Sequence, residues 1–281
     1  MAERTELRKK VGFLFQPKRQ AARDMAQQLA EVVRDLAEEV WVCSSWEESR
    51  SSELAEGTEL IVCLGGDGTI LRAARIASPR SIPILAVNLG RVGFMTEVPA
   101  GDALREVPAF VNGDGRIEER AMLQAELGSG VASPLHGLND VFVGRRGRCR
   151  LIRVKVTVDG EPVTTYKCDG VILATATGST GYSMAAGGPI LHPMAKDILM
   201  QPLAAHLSSG TPLILPPDTE VELEVSTTHE AVLSIDGQVE IPLDSGDAVR
   251  VKRSPLVTRL LRAQRPAPFY GTLMQKLGTR E

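Results

Sequence analysis

The first third of the chain alternates between short apolar runs and one-sided apolar periodicity. Residues 11–15 (VGFLF) form an apolar run that ends before Pro17, which predicts a buried strand. Over residues 18–37 the apolar side chains recur every three or four positions, which predicts an amphipathic helix. Further strands are predicted at 40–43, 60–64 and 82–88, and a second helix at 70–77. Alternating strands and helices are typical of an open parallel sheet, so the pattern predicts an α/β fold class.

After about residue 116 the apolar positions follow a period of two. Apolar and polar side chains alternate in residues 152–158, 220–225 and 239–243, and the mainly apolar run 231–235 precedes the last of these. Asp159-Gly160 and Asp236-Gly237 interrupt this alternation. Alternating runs that flank Asp-Gly pairs predict antiparallel strands joined by tight hairpin turns. The second half of the chain is therefore predicted to be mostly antiparallel β structure.

These patterns divide the chain into three parts. Residues 1–115 are predicted to form an open parallel α/β domain, and residues 116–260 a mostly antiparallel β domain. The tail, 261–281, returns to helical spacing over 269–277 and is predicted to dock back on the first domain. A length of 281 residues is enough for two domains.

Composition narrows the classes of partner. Lys and Arg number 32 against 35 Asp and Glu, so the net charge is −3. A weakly acidic chain without a basic half predicts no nucleic-acid and no membrane partner. Four cysteines without a CxxC pair predict reduced thiols in a cytoplasmic protein, and four histidines without ligand spacing predict no protein metal site. No apolar signal core and no 18-residue apolar run is present.

The segment Gly65-Gly66-Asp67-Gly68-Thr69 lies between a predicted strand and a predicted helix. Phosphate-binding sites use this order, because backbone N–H groups and a helix N-terminus provide positive potential. A carboxylate there repels phosphate unless it holds a metal ion or accepts a proton from an attacking hydroxyl. Asp67 is therefore the candidate catalytic residue. The alternative is a plain strand-to-helix turn in which Asp67 caps the helix.

Three other segments carry candidate binding groups, and each has a structural alternative. Residues 174–183 (ATATGSTGYS) offer hydroxyls and glycines that suit a phosphate or a ribose, or they form a flexible surface loop. Asn139-Asp140 is a turn signal, or a pair that hydrogen-bonds a ribose diol. Lys167-Cys168-Asp169-Gly170 is a hairpin turn, or it presents Lys167 and Asp169 to a ligand. The dense basic run over 145–153 is a solvated loop, or it neutralises a diphosphate.

Taken together, these motifs resemble those of the NAD kinase family. The resemblance covers residues 10–277 and is carried by four motifs in this order: Gly65-Gly66-Asp67-Gly68-Thr69, Asn139-Asp140, the stretch from Thr177 to Pro189, and Ser234-Ile235-Asp236-Gly237-Gln238. It implies an N-terminal α/β domain and a β-sandwich-like C-terminal domain with the site between them. It also implies phosphorylation of the 2′-hydroxyl of the adenosine ribose of NAD to give NADP.

The resemblance also implies roles for individual residues. Asp67 accepts the proton of the 2′-hydroxyl, and Gly66, Gly68 and Arg72 lie on the side of the phosphate donor. Asp169 lies near the nicotinamide amide. The remaining implied NAD contacts are Asn139, Asp140, Arg150, Lys167, Thr180, Gly181, Tyr182, Ser183, Met184, Ala185 and Gln238. The donor is ATP or polyphosphate with Mg²⁺ or another divalent cation, and the assembly is a homodimer or homotetramer.

Two positions depart from the family pattern. Ala176 stands where the family often has Pro, and Gly181 stands where it usually has Ala. Both make the loop more flexible, so they bear on affinity more than on activity.

Two rival functions use some of the same features. A lipid or sugar kinase shares the glycine turn but needs neither the 177–183 stretch nor Asn139-Asp140, and a non-catalytic dinucleotide sensor does not need Asp67.

Overall fold

The computed structural model describes residues 8–90, 93–128, 133–147, 151–206, 210–264 and 269–278. The chain divides into two compact units. The α/β unit comprises residues 1–119 and 258–281, and the β unit comprises residues 120–257.

Helices and strands account for most of the described residues. The helices are α1 (Gln20–Val32), α2 (Glu48–Leu54), α3 (Asp67–Ala77), α4 (Ala103–Val111), α5 (Tyr182–Ala185) and α6 (Phe269–Gly278). The strands are β1 (Arg8–Phe15), β2 (Ala37–Ser44), β3 (Leu60–Gly65), β4 (Ile84–Asn88), β5 (Val98–Pro99), β6 (Arg116–Leu127), β7 (Leu135–Gly137), β8 (Asp140–Arg145), β9 (Ile152–Val158), β10 (Glu161–Cys168), β11 (Gly170–Ala174), β12 (Ile198–Leu203), β13 (Leu213–Leu215), β14 (Val221–Ser226), β15 (Ala231–Ile235), β16 (Val239–Leu243) and β17 (Ala248–Arg262). Short 3-10 turns lie at Arg34–Leu36, Ser78–Arg80, Ala100–Asp102 and Gly178–Thr180. Among the described residues, no helix is long and apolar enough to cross a membrane.

The α/β unit is built on a parallel sheet. Its strands lie in the order β4-β3-β1-β2, and every neighbouring pair runs parallel. In β3, Val62 pairs with Phe13 on one side and with Leu85 on the other. The last part of β17 adds to the same sheet, where Leu260 pairs with Ile84. The predicted open parallel sheet is thus confirmed.

Helix α1 covers this sheet with the apolar stripe that its sequence predicts. Ala22, Ala26 and Leu29 are fully buried at helical spacing, and Leu29 packs in one cluster with Phe13 and Val62. The helix is shorter than the predicted 18–37. It ends at Val32 because the chain tightens into a 3-10 turn and then enters β2 at Ala37.

The β unit contains antiparallel strands in two sheets. One has the order β10-β9-β14-β17, and the other the order β13-β12-β11-β8-β15-β16. Val154 of β9 and Leu223 of β14 share one buried cluster with Val143 of β8 and Leu233 of β15, so the two sheets face each other across a common core. The predicted fold class, an open parallel α/β part followed by a mostly antiparallel β-sandwich-like part, is confirmed.

Both Asp-Gly pairs form tight turns with a left-handed backbone. Asp159 and Gly160 have φ values of 49° and 82°, and Asp236 and Gly237 have 54° and 63°. Two consecutive positive φ values match the twist of antiparallel strands, which is why Asp-Gly suits such turns. The pairs join β9 to β10 and β15 to β16, as the sequence predicts.

The segment 167–170 is not a hairpin turn. Strand β10 ends at Cys168 and pairs with β9, whereas β11 begins at Gly170 and pairs with β8 and β12. Asp169 therefore lies where the chain passes from one sheet of the β unit to the other. Two apolar runs joined by a short polar segment look like a hairpin in sequence, but here each run pairs with a different partner.

Gly12 provides a test of packing in the α/β unit. A Cβ atom at Gly12 would lie 2.1 Å from Cζ2 of Trp41, whose indole N–H donates to Thr58 Oγ1 at 3.0 Å. We expect Gly12→Ala to lower the free energy of unfolding by about 1–3 kcal/mol, because it overpacks the core. At Gly101 a Cβ would meet no atom within 4 Å, so Gly101→Ala is the control. Equal urea midpoints for the two variants would contradict this account.

Candidate active site

The glycine turn of the α/β unit follows the buried strand β3 and leads into α3. A Cβ at Gly65 would lie 2.3 Å from Thr69 Oγ1, so the turn closes only with glycine there. At Gly66 and Gly68 a Cβ would meet no atom within 4 Å, and both residues are exposed. The outer side of the turn is therefore open backbone beside a helix N-terminus, which is an arrangement that binds anions.

Asp67 is the first residue of α3, and its carboxylate is held by main-chain groups from another segment. Oδ2 accepts the N–H of Phe94 at 3.1 Å, and Oδ1 accepts the N–H of Met95 at 3.3 Å. A Cβ at Gly93 would lie 2.2 Å from Oδ1, so glycine is required for this approach. The N-cap is Gly66, without a side-chain cap hydrogen bond, so the alternative in which Asp67 caps the helix is wrong.

A cavity of about 210 Å³ lies beside the glycine turn, within the α/β unit. Gly66, Gly68 and Arg72 line it, and so do residues from the segments that follow β1 and β2. Arg72 is half-buried in the second turn of α3. The structure thus places the catalytic candidate and the three predicted donor-side residues on one helix start.

In the β unit, Asp236 holds the predicted Asn139-Asp140 pair. Its carboxylate accepts the N–H groups of Leu138 at 2.8 Å, Asn139 at 2.7 Å and Asp140 at 3.0 Å. Its own N–H donates to the carbonyl of Asp140 at 2.9 Å. Asp236 has a φ of 54°, which turns its side chain back toward this segment. Three of these four hydrogen bonds fix the pair itself, and the fourth fixes Leu138 just before it.

Asp140 is the buried ionisable group of this cluster. Its side chain is 6% exposed. Burial raises the pKa of Asp140 from 3.8 to about 7, and the nearby charge of Asp236 adds to the rise. The two carboxylates differ in environment, because Asp236 receives three N–H groups while the desolvation of Asp140 favours its neutral form. Near neutral pH, Asp140 can therefore exchange a proton with its surroundings.

The stretch 174–183 is not a flexible surface loop, because Thr175 to Ser179 are buried and their hydroxyls are used within the fold. Thr175 Oγ1 donates to the carbonyl of Leu138 at 2.6 Å, and Ser179 Oγ to that of Ala176 at 2.7 Å. Thr180 Oγ1 donates to the carbonyl of Thr177 at 3.0 Å. These bonds lock the 3-10 turn Gly178–Thr180. At Gly178 a Cβ would lie 1.9 Å from the carbonyl oxygen of Asn139, so the turn packs directly on the Asn139-Asp140 pair.

Polar atoms without partners remain around this turn. Among the described residues, Asn139 Oδ1, Ser183 Oγ and Gln201 Oε1 are buried and have no hydrogen-bond partner. Ser183 Oγ and Gln201 Oε1 both lie close to Gly188, where a Cβ would be 2.4 Å and 2.9 Å from them. Buried polar groups are normally hydrogen-bonded, so these atoms are suited to bind a ligand or an ordered water.

Next to these atoms, α5 carries four of the predicted NAD contacts, Tyr182, Ser183, Met184 and Ala185. Tyr182 is 48% exposed and meets the Phe142 ring edge-on, with ring centroids 5.7 Å apart. Met184 is half-buried and Ala185 is exposed. A Cβ at Gly181 would lie 3.2 Å from the carbonyl oxygen of Gly178, so the Ala that the family usually has there needs only a small shift.

The other predicted NAD contacts are less closely grouped. Asp169 forms an ion pair with Arg145, whose Nε lies 2.6 Å from Oδ1, so part of the basic run is neutralised by a predicted site residue. Lys167 is exposed on β10. Gln238 closes the Asp236-Gly237 turn through its N–H to the carbonyl of Ile235 at 2.9 Å. Arg150 lies outside the described residues.

Two family models match the chain in the order of its units. The model of the ATP-NAD kinase N-terminal domain matches residues 6–115, and that of the ATP-NAD kinase C-terminal domain matches residues 138–263. The chain belongs to the NAD kinase family. The predicted resemblance and the predicted enzyme class are thereby confirmed. The family match does not support the two rival functions, a lipid or sugar kinase and a non-catalytic sensor.

Curated relatives of the NAD kinase family are similar over almost the whole chain. An NAD kinase of Dehalococcoides mccartyi is 44% identical over 272 residues, with 96% of each chain covered. An NAD kinase of Chloroflexus aurantiacus is 37% identical over 270 residues, with 95% of this chain and 98% of the relative covered.

Solved structures of an NADH kinase and of an NAD kinase share the fold. Yeast NADH kinase complexed with NADH has a TM-score of 0.83 at 24% identity, covering 97% of this chain and 88% of that one. An NAD kinase from Archaeoglobus fulgidus in complex with ATP has a TM-score of 0.76 at 24% identity, covering 97% and 100%.

The sequence pattern indicates no role for Asp236 beyond a turn and a motif position. The signal that the sequence does contain is the Asp-Gly pair, which predicts the left-handed backbone but not the carboxylate's partners. Those partners lie 96–98 residues earlier in the chain. The alternation of strands does not reveal which strand ends meet, so the contact exists only in the folded chain.

The raised pKa of Asp140 predicts a pH-dependent stability. Between pH 4 and 7 the native state keeps a proton that the unfolded chain releases, so stability falls as the pH rises through this interval. Asp140→Asn removes this titration. At about 1.4 kcal/mol per pKa unit, we expect the stability of Asp140→Asn relative to wild type to rise by about 2–4 kcal/mol from pH 4 to pH 8. Urea unfolding of both proteins at several pH values measures their difference in unfolding free energy. A difference that does not change with pH would contradict the burial of Asp140 as the cause.

Proposed function

We propose that the chain transfers a phosphoryl group to the 2′-hydroxyl of the adenosine ribose of NAD, with Asp67 accepting the hydroxyl proton. Phosphorylation of NAD to NADP with ATP follows from the family that the chain belongs to. The observation that carries the role of Asp67 is a carboxylate on an open glycine turn, held by two main-chain N–H groups.

The two N–H groups orient Asp67 without neutralising it. Each carboxylate oxygen accepts one N–H and keeps lone-pair capacity for one more donor, such as a hydroxyl. Phosphoryl transfer proceeds through a loose transition state, in which positioning and electrostatics supply most of the rate enhancement. Asp67 therefore needs only to align the hydroxyl and to take its proton as the P–O bond forms.

The donor side of the reaction is assigned to the open glycine turn. Gly66 and Gly68 allow phosphate oxygens to approach the backbone, and Arg72 provides a cation at the adjoining cavity. ATP is the donor that the family match supports. Polyphosphate remains an alternative donor, since the turn itself recognises phosphate and not a base.

A divalent cation fits this arrangement without a dedicated protein site. Among the described residues, no group of three or more His, Cys, Asp or Glu side chains could hold a metal ion. Mg²⁺ bound by substrate phosphates needs only one or two carboxylates, and Asp67 is the carboxylate on the glycine turn. When bound, Mg²⁺ or another divalent cation would offset the charge of the donor phosphates.

The NAD side is assigned to the Asn139-Asp140 cluster of the β unit. Asn139 Oδ1 and Ser183 Oγ are buried atoms ready to bond a ligand, and the exposed ring of Tyr182 offers a face to adenine. Asp169 is proposed to hold the nicotinamide amide while Arg145 fixes its orientation. Further proposed contacts are Thr180, Gly181, Met184, Ala185, Lys167, Gln238 and Arg150.

The cellular setting is part of the same proposal. Cys43, Cys63 and Cys168 are free and buried, which supports a reducing, cytoplasmic location. Burial raises the pKa of the Cys43 thiol to about 11 and that of Cys168 to about 12, so both stay protonated and unreactive. A homodimer or homotetramer is proposed from the family resemblance.

Asp67→Asn tests the catalytic role. It keeps the size of the side chain and removes the proton acceptor, so kcat should fall by about 10²-fold or more while NAD binding changes little. Steady-state kinetics with NAD, ATP and Mg²⁺ measures kcat, and calorimetry measures NAD affinity.

Thr96→Val is the control for this variant. Thr96 Oγ1 accepts the N–H of Gly93 at 3.1 Å, so its loss disturbs the segment that holds Asp67 without removing the carboxylate. An equal loss of kcat in Thr96→Val and Asp67→Asn would assign the effect to segment position and would remove Asp67 as proton acceptor.

Asp140→Ala tests the assignment of NAD to the β unit. The variant removes a group next to the Asn139 side chain and leaves the glycine turn unchanged, so KM for NAD should rise about tenfold or more while KM for ATP stays within about twofold. Initial rates at saturating co-substrate give both constants. A rise in KM for ATP alone would mean that the two substrates are assigned to the wrong units.

A further inference from the structure

Half of the wall of the cavity beside the glycine turn has no role in the proposed reaction. That half consists of Gln16 and Arg19, which follow β1, and of Ser45 and Trp46, which follow β2. Ser45 is 2% exposed, and its Oγ has no hydrogen-bond partner among the described residues. A buried hydroxyl without a partner, in the wall of an open cavity, indicates a polar occupant.

The Trp46 ring brings two cations to this wall. The indole is 49% exposed. Lys18 Nζ lies 5.0 Å from its ring centroid, and Arg72 Cζ lies 6.0 Å from it. Both distances are within the range of a cation–π contact, in which the electron-rich face of an indole attracts a positive charge. One ring therefore holds cations from the β1–α1 connection and from α3 close to the same cavity.

A third cation is fixed beside them. Arg19 Nη1 donates to the carbonyl of Leu89 at 2.9 Å. A Cβ at Gly90 would lie 2.8 Å from that nitrogen, so the absence of a side chain at Gly90 makes room for the guanidinium. Its remaining N–H groups stay available to the cavity, because Arg has five donors.

None of these three cations has a carboxylate partner among the described residues. Nearby arginines do: Arg50 pairs with Glu47 at 3.2 Å, and Arg75, one turn after Arg72 on α3, pairs with Glu48 at 2.8 Å. Arg19 and Arg72 line the cavity and Lys18 lies over the Trp46 ring, so an anion in the cavity would reduce the mutual repulsion of three positive charges. The contrast between Arg72 and Arg75 on the same helix indicates that the cavity is built for negative charge.

The size of the cavity limits what part of a ligand it holds. About 210 Å³ is less than the roughly 300–1,000 Å³ of a site for a whole small molecule. The open backbone of Gly66 and Gly68 lies on the same wall and also recognises phosphate. A chain of phosphates fits both the volume and the charge, whereas a nucleoside with its triphosphate does not fit as a whole.

We propose that Trp46 is a positioning residue that holds Lys18 and Arg72 beside the glycine turn, and that with Arg19 they form a subsite for the polyphosphate chain of the donor. This inference rests on the proposed function, which places the donor in the α/β unit. It deepens that function by making the phosphate chain, and not the base, the recognised feature. Trp46 therefore raises the affinity for ATP, GTP and inorganic tripolyphosphate by a similar factor.

The test is calorimetric binding of inorganic tripolyphosphate to the full chain, compared with KM values for ATP, GTP and NAD. In Trp46→Leu the cations lose their aromatic face, so tripolyphosphate affinity should fall about tenfold, and KM for ATP and GTP should rise by the same factor. KM for NAD should stay within about twofold.

Trp46→Phe keeps a flat aromatic face and should retain the affinity for tripolyphosphate within about threefold. Lys18→Gln removes one cation on the surface and should weaken tripolyphosphate without affecting the ring.

Arg75→Gln is the matched control, because it removes an already paired cation from the same helix and should leave tripolyphosphate binding unchanged. The inference is overturned if the wild type does not bind tripolyphosphate, or if Trp46→Leu binds it as well as the wild type. It is also overturned if Trp46→Leu raises KM for ATP only, because the ring would then contact the base. Binding needs no turnover, so Trp46-dependent binding in a chain that does not phosphorylate NAD would refute the proposed function and uphold the subsite.

Discussion

Carboxylates that accept main-chain N–H groups hold both candidate clusters in place. In the α/β unit, Asp67 receives the N–H groups of Phe94 and Met95. In the β unit, Asp236 receives those of Leu138, Asn139 and Asp140. A charged acceptor makes a hydrogen bond roughly twice as strong as a neutral one, and several bonds to one group fix its direction. Each cluster thus depends on a carboxylate whose partners lie far away in sequence.

The two carboxylates are used differently. Asp67 makes two hydrogen bonds of 3.1 Å and 3.3 Å and is only partly buried, so it keeps capacity for a further donor. Asp236 is 9% exposed and makes three bonds of 2.7–3.0 Å, so it serves the backbone around it. The first arrangement suits a group that handles a substrate proton. The second suits a group that keeps Asn139 and Asp140 where they are.

Unpaired polar and charged atoms concentrate in the regions that are assigned to substrate. Asn139 Oδ1 and Ser183 Oγ are buried without partners among the described residues, and Asp140 is desolvated. In the described part of the α/β unit, Arg19 and Arg72 of the cavity have no carboxylate partner, whereas Arg75 on the same helix as Arg72 has one. A folded chain tolerates such atoms where a ligand completes their bonding, because leaving them buried and unmatched reduces stability. Both assignments therefore agree with where the fold leaves polar groups unmatched.

The sequence by itself determined many of the elements, though not α4 or β12, and it determined the order of the two folds and the family. Residues 60–77 already predict a strand, a glycine turn and a helix, and hairpins are already predicted by Asp159-Gly160 and Asp236-Gly237. Both predictions succeed because periodicity and turn chemistry are local properties of the chain. Only the tertiary structure decided that Asp67 binds the backbone of Phe94 and does not cap its helix. It also decided that Asp169 joins two sheets and that Trp46 gathers Lys18 and Arg72. These contacts join residues that only strand pairing and helix packing bring together, and no local pattern encodes such pairings.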